Sequence, residues 1–437
     1  MTQRTTTERT AVPPRAHEHQ ALFARVRRTT EALCRPLRHE DYVVQSMPDA
    51  SPTKWHLAHT SWFFETFVLR PGVQRYPVFE ERFALLFNSY YHAAGERHPR
   101  PERGLLSRPT VEEVFAYRAH VDRWMGELLA GEHGAFGGEL AFAIELGLNH
   151  EEQHQELLLT DVKHLLALNP LEPSYRECGP APRAPTTLPS ERWASFEGGL
   201  IEVGAADLVA GAGSFAFDNE RPRHRRFVPP FELARAPVTC GEYLEFVEAG
   251  GYRHSEHWLS DGWDARARLG WEAPLYWKRD GDGWRVLTLN GARALDPTEP
   301  VSHVSFYEAD AYARWKGARL PLEEEWEHAA AHEELAGNLL DSDLLHPASC
   351  VRAGRRLEQV FGDAWEWTAS PYAPYPGFAP FEGALGEYNG KWMSSRWVLR
   401  GGSCVTPARH IRASYRNFFG PEARWQFTGL RLARAPR

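Results

Sequence analysis

The chain has 437 residues, enough for two to three domains of ordinary size, each able to bury its own core. Apolar residues make up 43% and charged residues 25%, a globular composition that excludes long disorder, collagen-like repeats and coiled coil. With 50 Lys+Arg against 58 Asp+Glu the formal charge is −8, so no overall attraction draws the protein to nucleic acid or to an anionic membrane.

Residues 1–17 are polar, without the apolar run of a signal peptide, and read as a flexible terminus. Residues 18–171 read as a four-helix bundle, because apolar positions recur at three-to-four spacing between breaks that carry Pro or Gly. The first helix passes through Ala21, Leu22, Val26 and Leu33 and stops before Pro36. The second takes Ser51 as N-cap and Pro52 in its first turn, buries Trp55, Leu57, Trp62, Phe63 and Phe67, and carries His56 and His59. A long polar connection with Tyr90, Tyr91, Arg97, Arg100 and Arg103 follows, and its length marks it as functional or disordered. The capping box Thr110-Val111-Glu112-Glu113 opens the third helix, and the fourth runs from about Gly138 to Leu168, before Pro170.

Residues 172–192 are Pro-rich and aperiodic, which reads as a linker. Residues 193–437 then alternate short β-like runs, such as 200–203 and 397–400, with Gly/Pro/Asn turns and two helical stretches, 240–249 and 305–316. The fold class is therefore α+β. Cys34, Cys178, Cys240, Cys350 and Cys404 are widely spaced with no C-x-x-C pair, as in reduced thiols of a cytoplasmic protein, and no segment reaches membrane-spanning length.

On the fourth helix, His150 and His154 stand four residues apart and project from one face, so two imidazoles can share a metal. Glu156 lies about 120° round the helix from His150, better placed beside a metal than on it. A third donor has to come from another helix, where His56 and His59 both qualify. Three imidazoles suit iron, zinc or other divalent ions, and spacing does not choose among them.

Four motifs carry a resemblance. Trp55-His56-Leu57-Ala58-His59-Thr60, the His150-x3-His154-x-Glu156 helix, Leu399-Arg400-Gly401-Gly402-Ser403 and Phe427-Thr428-Gly429-Leu430-Arg431-Leu432-Ala433-Arg434 resemble the ergothioneine-biosynthesis sulfoxide synthases. The resemblance runs from about residue 18 to the end. It implies a DinB-like helical bundle followed by a C-type-lectin-like domain similar to formylglycine-generating enzyme. It also implies non-heme Fe(II) on His59, His150 and His154, O2 as co-substrate, and oxidative joining of a cysteine-type thiol to the imidazole C2 of hercynine, with the sulfur oxidised to the sulfoxide.

In that family pattern Tyr90 or Tyr91 is the proton donor, Arg100 and Arg103 grip the thiol substrate's carboxylate, and Gln153, Asn417 and Phe418 contact hercynine. Phe419 stands where the γ-glutamylcysteine-using branch carries an aspartate, which favours free cysteine. Cys404, Trp365 and Trp367 read as core residues. The competing readings are an ovothiol-type 5-histidylcysteine sulfoxide synthase, which normally carries an added methyltransferase domain, and a DinB-like metal-dependent thiol transferase.

Overall fold

The computed structural model describes residues 14–134, 136–177, 192–206, 215–349 and 355–436. Most of the expected flexible terminus and Pro-rich linker, with Cys178 and Cys350, lies outside the described residues. The chain forms two compact units, one of residues up to Ser89 with Gly95–His154, the other of Tyr90–Ala94 with everything from Gln155 onward.

The first unit is built from α1 (Pro14–Cys34), α2 (Thr53–Phe64), α3 (Val111–Leu129) and the first part of α4 (Gly138–Leu168). The Thr110–Glu113 capping box closes as expected, with Glu113 N donating to Thr110 Oγ1 at 3.2 Å and Thr110 N to Glu113 Oε2 at 2.7 Å. Ser51 does not cap α2. Pro52 holds the N-cap position with extended backbone, and Ser51 Oγ accepts from Arg103 at 2.9 Å instead. All twelve residues of α2 are buried, so its polar side chains must find partners inside the protein. Beyond Phe64 the helix widens into a π turn, Glu65–Leu69, whose buried Glu65 accepts the hydroxyls of Tyr76 at 2.9 Å and Tyr117 at 2.7 Å.

One buried network ties the four helices together. Arg27 of α1 donates to Asp122 of α3 at 2.6 Å, Glu151 of α4 at 2.9 Å and Ser61 of α2 at 2.9 Å. Arg118 of α3 donates to Glu151 at 2.6 Å and to Thr60 of α2 at 3.3 Å, while Thr30 of α1 donates to Glu151 at 2.7 Å. Burial raises the Glu151 pKa, but Arg118 and Arg27 outweigh it and hold the carboxyl at about 2, against an ordinary value of 4.5. Glu151→Ala leaves two buried guanidinium groups without their shared carboxylate and is expected to cost roughly 3–5 kcal/mol, read as a lower urea midpoint. Because the folded-state pKa is the lower one, this contribution is complete above the unfolded value and disappears as pH falls toward 2; the variant should therefore lack that part of the acid-side slope.

The second unit holds α5 (Cys240–Glu248), α6 (Ser260–Leu269), α7 (Phe306–Trp315) and α8 (Glu323–Ala330). Sequence periodicity finds α5 and α7, each opened by a capping box from Thr239 or Ser305, but not α6 or α8. The first turn of α8 is acidic, and its Glu323 is buried between Arg400 at 3.0 Å and Arg416 at 2.9 Å. The strands are short. β1 (Trp193–Phe196), β4 (Phe231–Ala234) and β12 (Ala433–Arg434) form one antiparallel sheet. β2 (Gly199–Val203) pairs with β3 (His224–Val228), and β5 (Trp277–Asp280), β6 (Gly283–Thr288) and β7 (Gly291–Ala294) make a meander. The fourth sheet has the order β10 (Asn417–Phe419), β9 (Trp397–Arg400), β8 (Trp365–Pro371), β11 (Thr428–Gly429), with β11 parallel to β8.

The later part of α4 is anchored within this second unit. Glu156 accepts from Trp365 Nε1 at 2.6 Å, Ser403 Oγ at 2.8 Å and Thr406 Oγ1 at 2.7 Å. Gly401 and Gly402 precede Ser403 with φ of 97° and 81°, and a Cβ on Gly401 would meet Val360 O at 2.7 Å, so glycine is required at that turn. Two turns of helix further on, the buried Lys163 Nζ lies 2.7 Å from His303 Nε2 and over the rings of Tyr276 and Phe427.

Candidate metal centre

His59 comes from α2, and His150 and His154 come from α4. The three rings converge, with centroids 4.8 Å apart for His59 and His150, 4.8 Å for His59 and His154, and 4.6 Å for His150 and His154. One ligating nitrogen from each lies within 4.8 Å of the other two, and all three residues are buried. Spacing alone left His56 and His59 as equal candidates, and the geometry separates them. His59 joins the cluster, whereas His56 sets its Nδ1 2.8 Å from Nδ1 of His154.

The cluster is held neutral. Burial pushes His150 down to about 3, and burial followed by the neighbouring His150 holds His59 and His154 well below the usual histidine range. Neutral imidazoles present lone pairs at pH 7, so a cation need not displace protons to bind. His59 Nδ1 lies 2.6 Å from the carbonyl oxygen of Phe87. A carbonyl can only accept, so Nδ1 carries the hydrogen and the bare Nε2 faces His150 Nε2 at 3.0 Å. Three neutral imidazoles gathered this closely form a donor set suited to iron(II) as well as to other divalent metals.

Stacking fixes the His59 ring as well. Trp55 lies 4.5 Å and Trp62 5.5 Å from it, both at 15°. Trp55 in turn carries the guanidinium of Arg103, 3.4 Å from its ring. Arg103 is buried and donates to Ser51 Oγ at 2.9 Å and Ser89 Oγ at 3.2 Å. Arg100, by contrast, is exposed and donates to the Asp49 carbonyl. Gln153 is half-buried on α4. The structure thus brings together the three predicted ligands and joins Arg103 to them through Trp55.

The remaining predicted residues belong to the second unit. Tyr91 is fully buried and stacks on the half-buried Tyr90 at 4.7 Å, and Tyr388 lies 6.1 Å from the Tyr90 ring. Burial, then the phenols of Tyr90 and Tyr388, push the Tyr91 pKa well above 10. Asn417 opens β10, its Oδ1 accepting from Phe418 N at 2.8 Å. Phe418 stacks on Tyr372 at 4.0 Å, and Phe419 meets the Trp425 ring edge-on at 5.7 Å. The Phe87 carbonyl was invisible to sequence reasoning, since its part is played by a backbone oxygen. No residue type marks it.

Two families match this chain. Residues 22–158 match the DinB superfamily, and residues 180–354 and 347–436 match the sulfatase-modifying factor enzyme 1-like domain. The hercynine oxygenase of Mycolicibacterium thermoresistibile is 34% identical over 424 residues, covering 88% of this chain and 88% of that protein. That of Mycobacterium tuberculosis is 34% identical over 420 residues, covering 88% of this chain and 91% of its own length. The ergothioneine biosynthesis protein 1 of Schizosaccharomyces pombe is 26% identical over 233 residues, which is 50% of this chain and 28% of that protein. No helix among the described residues is long and apolar enough to cross a membrane.

Proposed function

The chain belongs to the hercynine oxygenase family, and from that membership we propose that it catalyses the iron(II)- and O2-dependent coupling of L-cysteine to hercynine. The product is hercynylcysteine sulfoxide. One thiol hydrogen and the hydrogen on imidazole C2 leave as water with one oxygen atom of O2, and the other oxygen ends on sulfur, so the four electrons taken by O2 match one C–S bond formed and one sulfur oxidised. The observation that carries the reading is the neutral, buried cluster of His59, His150 and His154.

Those three side chains hold the metal. Iron(II) bound there supplies the one-electron chemistry that O2 needs to react with closed-shell substrates. The protein contributes positioning. Arg103 is oriented by Ser51 and Ser89 and is the better organised grip for the cysteine carboxylate, with Arg100 assisting. Gln153 and Asn417 offer amides to hercynine, and Phe418 offers a ring face to its quaternary ammonium. Phe419, packed on Trp425, has no charge with which to receive a glutamyl ammonium, which favours free cysteine over γ-glutamylcysteine.

The test is an aerobic assay of the Fe(II)-reconstituted protein with hercynine and cysteine, beside parallel assays that replace hercynine by histidine or cysteine by γ-glutamylcysteine. Mass spectrometry should find the sulfoxide from hercynine and cysteine, with γ-glutamylcysteine at least about tenfold poorer, as expected where a buried ammonium lacks its partner. Product from histidine alone supports the ovothiol-type reaction instead. Thiol transfer without O2 uptake supports a thiol transferase.

A further inference from the structure

We propose that His56 is a positioning residue of the metal centre, holding Nδ1 of His154 so that Nε2 is the nitrogen His154 turns to the cation. The inference rests on reading His59, His150 and His154 as the iron site, and it assigns a task to a buried histidine that this reading leaves unused.

The observation is one contact, His56 Nδ1 to His154 Nδ1 at 2.8 Å, between rings 5.1 Å apart and both buried. A neutral imidazole has one N–H and one lone pair, so this contact uses one of each. When Nε2 of His154 gives its lone pair to a cation, its hydrogen sits on Nδ1. His56 must then accept at Nδ1 and carry its own hydrogen on Nε2. His59 receives the equivalent support from the Phe87 carbonyl, an acceptor that cannot change. His56 can change, because its ring can donate at Nδ1 in one tautomer and accept there in the other. The two supports therefore differ in kind: the α2 ligand is locked by backbone and the α4 ligand by a side chain. Supports of this sort typically alter metal affinity 10- to 100-fold.

His56 is not a fourth ligand. Among the described residues, the group whose ligating atoms lie close to one another comprises His59, His150 and His154 alone. The Nδ1 of His56 is directed at His154.

The experiment titrates the full-length apo-protein with Co(II), following the ligand-field spectrum and the calorimetric affinity, with the thermal midpoint of each apo variant measured alongside. His56→Phe removes the acceptor and should weaken Co(II) about 10- to 100-fold. In His56→Asn the amide oxygen occupies the place of Nδ1, and affinity should stay within a few-fold of the unmodified protein. His56→Gln carries its amide one carbon further out and should bind as weakly as the Phe variant; it takes over the comparison if His56→Phe does not fold. Equal Co(II) affinity in all three variants, or equal loss in all three, overturns the proposal. The three-histidine reading is checked separately by His59→Ala: Co(II) bound as tightly as before in that variant defeats the reading itself, whatever the His56 series shows.

Discussion

His59→Ala is expected to reduce metal binding and C–S coupling to background. The two histidines left on α4 lie one turn apart, and a pair of imidazoles holds a divalent ion far more weakly than three do. His56, three residues before His59 on the same helix, cannot replace it while its Nδ1 is committed to His154. The substitution also leaves a gap between the stacked rings of Trp55 and Trp62, so a stability loss of about 1–3 kcal/mol should accompany the loss of function. Iron content after anaerobic reconstitution separates the two effects, because a merely destabilised protein still binds one equivalent at low temperature. A folded His59→Ala protein that retains a full equivalent of iron and makes sulfoxide at the original rate would remove His59 from the site.

The bundle was legible where local rules dominate. The Thr110–Glu113 box and Pro170 delimit α3 and α4 because capping and helix-breaking act over a few residues. The pair His150 and His154 was legible for the same reason: four residues in a helix is a local distance. The third ligand was not, since His56 and His59 are both on α2 and only tertiary packing decides which ring meets α4. The resemblance to sulfoxide synthases selected His59, and the coordinates group it with His150 and His154 for a physical reason, the Phe87 carbonyl behind it and indoles on both faces. Buried charge was the least legible feature. Glu151 and Glu323 sit in runs that ordinarily face water, and their arginine partners Arg118, Arg27, Arg400 and Arg416 lie at least 33 positions away in the chain. Ser51 shows the converse error: a residue type suited to capping was taken by a distant arginine, and the helix began without it.

Tyr91→Phe and Tyr90→Phe should each shift the products from coupled sulfoxide toward oxidation of the thiol alone, while O2 continues to be consumed. The expectation follows from the pair's chemistry. Burial and the neighbouring phenols keep Tyr91 protonated far beyond neutral pH, so it holds a proton reliably, and the stacked Tyr90 sets a second phenol beside it. Removing a hydroxyl takes one of these two phenolic protons away, and the position with the larger shift identifies the group that delivers the proton. The rings remain in place in both variants, because the stack of Tyr90 on Tyr91 and the contact with Tyr388 do not involve the oxygens. Iron content and thermal midpoint should therefore stay close to those of the unmodified protein, which distinguishes a lost proton donor from a damaged site. The measurement is the ratio of sulfoxide to oxidised thiol per O2 consumed, with solvent deuterium slowing coupling more in the unmodified protein than in the donor variant. Unchanged ratios in both phenylalanine variants would leave these tyrosines as packing for Tyr388, and the proton would have to come from another group or from water.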